Sequence, residues 1–344
     1  MNSITCRAAI LAVSLCNWFP VKAMAAEQMI GVAIGADEIA FQLIQPRADG
    51  IDYPQFYIQE TEVTNQQYQQ YLLDSERTKD DTDVFEILEK RKAEVAALST
   101  QHRRAVVWQP LWESYSIDDP ASNWRKGQFP QGQESFPVAL VTLSDAEDFC
   151  RWLTQKHPDR GLFRLPTWNE WMIAAYGKTR NYPWGNDWQT SHVHTSYGYT
   201  WSMSDDRRPK RTEPVKSRPQ GKTPQGVYGM LGNVAEYLCV GDSTSEEYLN
   251  LGARWMGGGF KDGPTLLDER ADRIQSRADY WGYSHWGAPR KCDLGFRVIL
   301  DPDKNLELVK RPRIFAPRNE AWMVTPNAKT PANDNARKAE KDNE

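Results

Sequence analysis

From residue 38 to 44 apolar and polar positions alternate loosely, in Glu38-Ile39-Ala40-Phe41-Gln42-Leu43-Ile44, and Pro46, Gly50 and Pro54 then break the pattern. This arrangement predicts a strand, and Phe56-Tyr57-Ile58 predicts another. The period then changes. Thr64-Asn65-Gln66-Gln67 sets a glutamine three residues after a hydroxyl, a capping box, and Tyr68, Tyr71 and Leu72 give the helix behind it one apolar face. Ser144-Asp145-Ala146-Glu147 predicts a second helix start, with Ala146, Phe149, Cys150 and Leu153 on one face. Thr167-Trp168-Asn169-Glu170 predicts a third, stopped by Gly177.

Between these elements the pattern weakens. Residues 74–104 are highly charged, with Val84, Ile87, Leu88, Val95 and Leu98 near helical spacing, and read as a peripheral amphipathic insertion. From 181 to 263 glycine and proline recur every few residues, which excludes long helices and predicts short strands and structured loops. After about Arg311 the chain is polar and reads as a tail. At the other end, Arg7, the short apolar stretch 8–19 and Ala23-Met24-Ala25 make a secretory signal cut before Ala26. Leu15 stands where a lipobox needs a small residue, so Cys16 is not read as a lipid anchor. The expected organisation is a signal peptide over 1–25, an N-terminal strand segment over 26–55, a main domain over 56–300 and a C-terminal extension and tail over 301–344. The expected location is periplasmic or secreted.

Composition narrows the function. Lys and Arg number 42 against 46 Asp and Glu, a formal charge of −4, so no basic surplus exists for nucleic acid. No apolar run reaches the ~18 residues of a membrane span, so none is expected in the mature chain. Fourteen Trp and fourteen Tyr suit either a core or a ligand cleft. Cys6 and Cys16 leave with the signal; Cys150, Cys239 and Cys292 remain, without CxxC or zinc spacing. His192 and His194 form an H-x-H pair that lacks an obvious third ligand and reads as a polar loop. The most crowded stretch is 277–286, where Arg277, Tyr280, Trp281, His285 and Trp286 either grip a peptide or ring-bearing ligand or pack an irregular loop.

Seven separated blocks, in order, resemble the sulfatase-modifying-factor family, whose founding activity is formylglycine generation. Tyr57-Ile58-Gln59-Glu60-Thr61-Glu62-Val63-Thr64-Asn65 resembles its opening F-x-I-x-x-x-E-V-T-N. Phe136-Pro137-Val138, Ser144-Asp145-Ala146 and Phe149-Cys150-Arg151-Trp152 resemble P-V-x-x-V-S-W-x-D-A-x-x-Y-C-x-W. Arg164-Leu165-Pro166-Thr167 with Glu170-Trp171 resembles R-L-P-T-E-A-E-W-E, and Pro183-Trp184-Gly185 resembles P-W-G. Tyr228-Gly229-Met230-Leu231-Gly232-Asn233-Val234 with Glu236 resembles Y-D-M-x-G-N-V-W-E-W. Gly257-Gly258-Gly259-Phe260 and Gly295-Phe296-Arg297 resemble R-G-G-S-W/F and G-F-R. The resemblance implies a single compact α/β domain related to C-type lectins, with little regular secondary structure.

It also implies a chemistry that this sequence lacks. The family's C-x-x-x-x-C pair, just after the G-G-S segment, binds copper; the ungapped positions here are Asp262 and Leu267. Neither supplies the soft thiolate that copper needs, so copper and formylglycine generation are not expected. The family's calcium loop maps onto Gly232, Val234 and Glu236, with Gly229 in place of an oxygen-bearing side chain, so calcium is a candidate cofactor with one ligand missing. A family cysteine pairing corresponds to Cys150–Cys292, and a buried thiol at Cys150 is the alternative. The resemblance leaves two functions open. One is a binding or regulatory module for an envelope protein, peptide or glycan. The other is a divergent periplasmic oxidase of the siderophore-maturation type, with Asp262, Tyr280 and His285 as its catalytic candidates.

Overall fold

The computed structural model describes residues 27–81, 124–195, 209, 211–239, 255–260 and 292–304. The signal segment, most of the expected insertion and nearly all of the tail lie outside the described residues. Strands β1 (Met29–Ile34) and β2 (Asp37–Ile44) form a hairpin. They continue into β3 (Phe56–Gln59), β8 (Ile299–Asp301) and β4 (Leu162–Arg164), in the antiparallel order β1-β2-β3-β8-β4. The N-terminal strands are therefore built into the main sheet rather than standing apart from it. A second, three-stranded sheet has the order β6-β5-β7, from Trp255–Met256, Ala235–Tyr237 and Leu294–Gly295.

The run Phe56-Tyr57-Ile58 has no polar face because the main sheet is covered on both sides. Tyr57 points into a core shared with helices α1 (Asn65–Asp74) and α2 (Leu143–Lys156). Phe56 and Ile58 point into the opposite core, shared with α3 (Trp168–Tyr176). On the first side Tyr68 stacks on Phe149 at 6.0 Å, and Phe296 meets Phe149 edge-on at 5.4 Å. Aromatic rings thus do the packing that longer helices would otherwise do.

All three α-helices among the described residues open on capping boxes. Thr64 with Gln67 and Thr167 with Glu170 are those expected, and α3 ends at Gly177. The second helix starts two residues early. Its cap is Thr142, whose hydroxyl accepts from Asp145 N–H while the Asp145 carboxylate accepts from Thr142 N–H at 2.8 Å. Either hydroxyl stands three residues before an acid; the extended backbone of Thr142 (φ −89, ψ 166) decides the choice.

Residues 75–81, expected to belong to the insertion, pack into the body instead. Lys79 and Asp81 are buried and paired at 2.5 Å. Asp81 N–H donates to Trp124 O at 3.0 Å, and Trp124 N–H donates to Asp81 Oδ2 at 3.1 Å. Residues 81 and 124 thus stand side by side in the body.

Candidate functional site

The turn 228–234 feeds β5 and lies against a set of buried charges. At Gly232 (φ +79) a side chain has no room: a Cβ would lie 2.6 Å from His194 O. Asn233 comes next, also left-handed at φ 62, a conformation asparagine tolerates. Its Oδ1 accepts from Glu213 N–H at 3.0 Å, and its Nδ2 donates to Glu62 Oε1 at 3.0 Å. The 257–260 segment is strapped over this turn, with Gly232 N–H donating to Gly257 O and Phe260 N–H to Asn233 O. The start of the stretch after the family's double glycine is thus fixed against the turn.

Below the turn lie two carboxylates and one guanidinium, all fully buried. Arg297 Nε donates to Glu236 Oε2 at 2.7 Å and Nη2 to Glu236 Oε1 at 2.6 Å. Trp171 Nε1 donates to the same Oε2 at 2.9 Å. Arg297 also donates to Gln59 O at 3.2 Å and Tyr228 O at 2.8 Å. Glu62 receives none of these donors, and its Oε2 has no hydrogen-bond partner among the described residues. Burial pushes the Glu62 carboxyl up to about 8; Arg297 opposes the shift and Glu236 adds to it.

A second charged set flanks the turn. Arg218 holds Glu213 through Nε–Oε1 at 2.6 Å and Nη2–Oε2 at 3.1 Å, and His194 Nδ1 lies 3.1 Å from Glu213 Oε2. Burial raises the Glu213 pKa, but hydrogen bonds from His194 and Arg218 outweigh it and hold the carboxyl below its ordinary value. His194 is thereby engaged with a carboxylate. His192 ends a separate 3-10 turn, Thr190–His192, its ring edge-on to Trp184 at 5.3 Å. Among the described residues no group of three or more His, Cys, Asp or Glu is placed to hold a metal. A groove of about 510 Å³ is lined by residues that include Asp37, Glu38, Glu60, Glu134 and Lys216, with Lys216 Nζ 2.6 Å from Glu60 Oε2.

Of the expected site residues, Gly232, Val234 and Glu236 come together in this turn. Asp262, Arg277, Tyr280, Trp281, His285 and Trp286 lie outside the described residues. The donor set at the turn does not fit calcium, which takes 6–8 oxygens including free carboxylate. Both Glu236 oxygens are committed to Arg297 and Trp171, and position 229 offers no side-chain oxygen. Cys150 is a buried free thiol rather than half of a bridge to Cys292. Burial and, next, nearby Cys239 push that thiol far up. Cys239 comes after β5 and Cys292 precedes its parallel partner β7, so the two lie beyond opposite ends of one ladder.

Glu62, Arg297 and Glu213 enter the site only through the structure. The sequence carries a signal for Arg297: a charge inside an apolar run, as in Phe296-Arg297-Val298-Ile299, needs a buried partner.

Fold and site together define a small α/β domain whose glycine-rich turns are locked by buried ion pairs. The chain belongs to the family described as "Sulfatase-modifying factor enzyme 1-like domain", matched over residues 19–302. It is 28% identical over 168 residues to the Bos taurus protein named "Inactive C-alpha-formylglycine-generating enzyme 2", covering 46% of this chain and 50% of that one. It is also 28% identical over 206 residues to the formylglycine-generating enzyme of Streptomyces coelicolor, covering 53% and 56%. The chain thus spans about half the length of these curated relatives. Among solved structures, PvdO from Pseudomonas aeruginosa aligns with 18% identity and a TM-score of 0.49, over 80% of this chain and 100% of that one. Among the described residues no helix is long and apolar enough to cross a membrane.

Proposed function

We propose that this chain is a sulfatase-modifying-factor-like binding or regulatory module of the cell envelope that does not generate formylglycine, its partner a peptide, protein or glycan. The observation that carries this reading is the pair Asp262 and Leu267 at the positions of the family's two cysteines. Copper(I) and disulfide exchange both require thiolates. Cys150 does not substitute for them: it is a core residue on the inward face of α2, and burial keeps it protonated. Similarity to a relative whose name calls it inactive is in keeping with this reading.

Incubating copper-treated protein with a CxPxR peptide is expected to leave the peptide mass unchanged. Conversion of the cysteine to formylglycine, read by mass spectrometry, overturns the proposal. Metal analysis separates it from an oxidase built on Asp262, Tyr280 and His285: stoichiometric copper or iron together with oxygen consumption argues for the oxidase. The export part of the reading is checked by N-terminal sequencing of periplasmic material, with Ala26 as the expected first residue.

A further inference from the structure

We propose that Arg297 is the resident cation of the 228–236 turn, and that this chain holds the turn with a guanidinium and takes up no calcium there. The guanidinium is bound as a metal ion would be, by oxygens from three separate segments. These are the Glu236 carboxylate on β5, Gln59 O at the end of β3 and Tyr228 O at the head of the turn. Its contacts run from 2.6 to 3.2 Å and link positions up to 238 residues apart in the chain. A planar fork suits this set better than a spherical ion does, because two donors match the two carboxylate oxygens and the others reach single carbonyls.

Position 229 adds no ligand of its own. Gly229 has φ +64, and a Cβ built on it would lie 2.5 Å from each oxygen of Glu62. The Glu62 carboxyl therefore lies against Gly229, and a side chain at 229 requires Glu62 to move aside. Glu62 is itself held by Asn233, at the centre of the turn. With Glu236 bound to Arg297 and no side-chain oxygen at 229, a calcium ion is left with main-chain oxygens and an oxygen of a carboxyl that burial disfavours as an anion. Arg297 meanwhile supplies Glu236 with a fixed positive partner that no chelator removes.

The test uses the full exported chain. Purified protein is melted after dialysis against EDTA and again with calcium chloride at millimolar concentration, and bound calcium is counted by equilibrium dialysis. The expected result is a melting temperature that moves by less than about 1 °C and no stoichiometric calcium; a ligand present at 100 times its dissociation constant would shift it by several degrees. One bound calcium per chain with a saturable rise in melting temperature overturns the proposal. Arg297→Lys keeps the charge but loses the fork. Its melting temperature is expected to fall by at least roughly 5 °C, and an unchanged value also overturns the proposal. The calcium measurements on the unmodified chain decide the matter even where the variant does not fold.

Discussion

Glu170→Ala is expected to cost about 3–5 kcal/mol of folding stability, the range found when one partner of a buried ion pair is removed. Glu170 is completely buried and takes Arg164 in a two-pronged bond, Nη1–Oε2 at 2.7 Å and Nη2–Oε1 at 2.6 Å. Its Oε2 also accepts from Thr167 N–H at 2.9 Å, so the same carboxylate closes the capping box of α3. Burial alone would raise its pKa; the Arg164 charge and these hydrogen bonds more than reverse that and hold it below the ordinary glutamate value. Without Glu170, Arg164 stays buried with Asp301 at 3.5 Å as its remaining acid partner. Arg164 lies on β4 and Asp301 on β8, so the strain passes into the pairing of the sheet edge. A chemical denaturation series checks this, with a fall of roughly 6–20 °C in melting temperature as its thermal counterpart. Glu170→Gln separates the two roles, since it preserves the cap but not the charge. A loss under about 1 kcal/mol for the alanine variant would place the pair among the weakly contributing ones.

What is legible in the sequence and what is hidden divide along chain separation. Capping boxes are contained in four residues, so Thr64–Gln67 and Thr167–Glu170 are legible. The exception, Ser144 for Thr142, comes from two overlapping hydroxyl–acid pairs that only backbone geometry distinguishes. Strands β2 and β3 are legible from alternation and from β-branched and aromatic content. The site is not. Glu236 and Arg297 are 61 positions apart, and Glu62 and Asn233 are 171 apart. A carboxylate that binds a metal and one that binds a guanidinium look the same in one dimension. In the sequence, therefore, Glu236 reads as a calcium ligand, Glu62 as part of a fold motif, and Arg297 as the end of another. The H-x-H pair is no clearer: His194 is taken by Glu213, 19 positions on, beyond a Ser-, Tyr- and Thr-rich stretch and a charged one with no regular alternation.

These long-range pairs also explain why the family framework persists here without the family's thiols. Glu236, Arg297, Glu62 and Asn233 fix the turn and, through Gly257 and Phe260, the start of the segment beyond it. These contacts join the four residues to one another, to Trp171 and to main-chain groups, so the framework is held from within. Binding surfaces can change under such conditions while the core stays as it was.

Glu62→Gln is expected to make the protein more stable than the unmodified chain at pH 9 and to leave the two within about 1 kcal/mol at pH 5. The sign comes from proton counting. Glu62 has an ordinary value of 4.5 in an unfolded chain and about 8 when folded, so between those limits the folded state holds a proton that the unfolded state has released. Stability contributed by this group is complete below pH 4.5, declines as pH rises and is gone above pH 8. Between those two values, at about 1.4 kcal/mol per pH unit, the loss has a ceiling of roughly 5 kcal/mol. Glu170 and Glu213 work in the opposite sense, because their folded values are depressed, and they act at the acid end. Asp301, whose value burial raises, adds a loss of the same sense as Glu62 but is untouched by the substitution. The difference between the two proteins therefore isolates Glu62. Glutamine retains an oxygen for Asn233 Nδ2 and cannot ionise, so its pH profile should lack the decline between pH 5 and 8 that Glu62 supplies. Melting temperatures for both proteins across pH 5 to 9 provide the measurement. Parallel curves would mean that the buried carboxyl ionises near its ordinary value, with Arg297 shared between two anions.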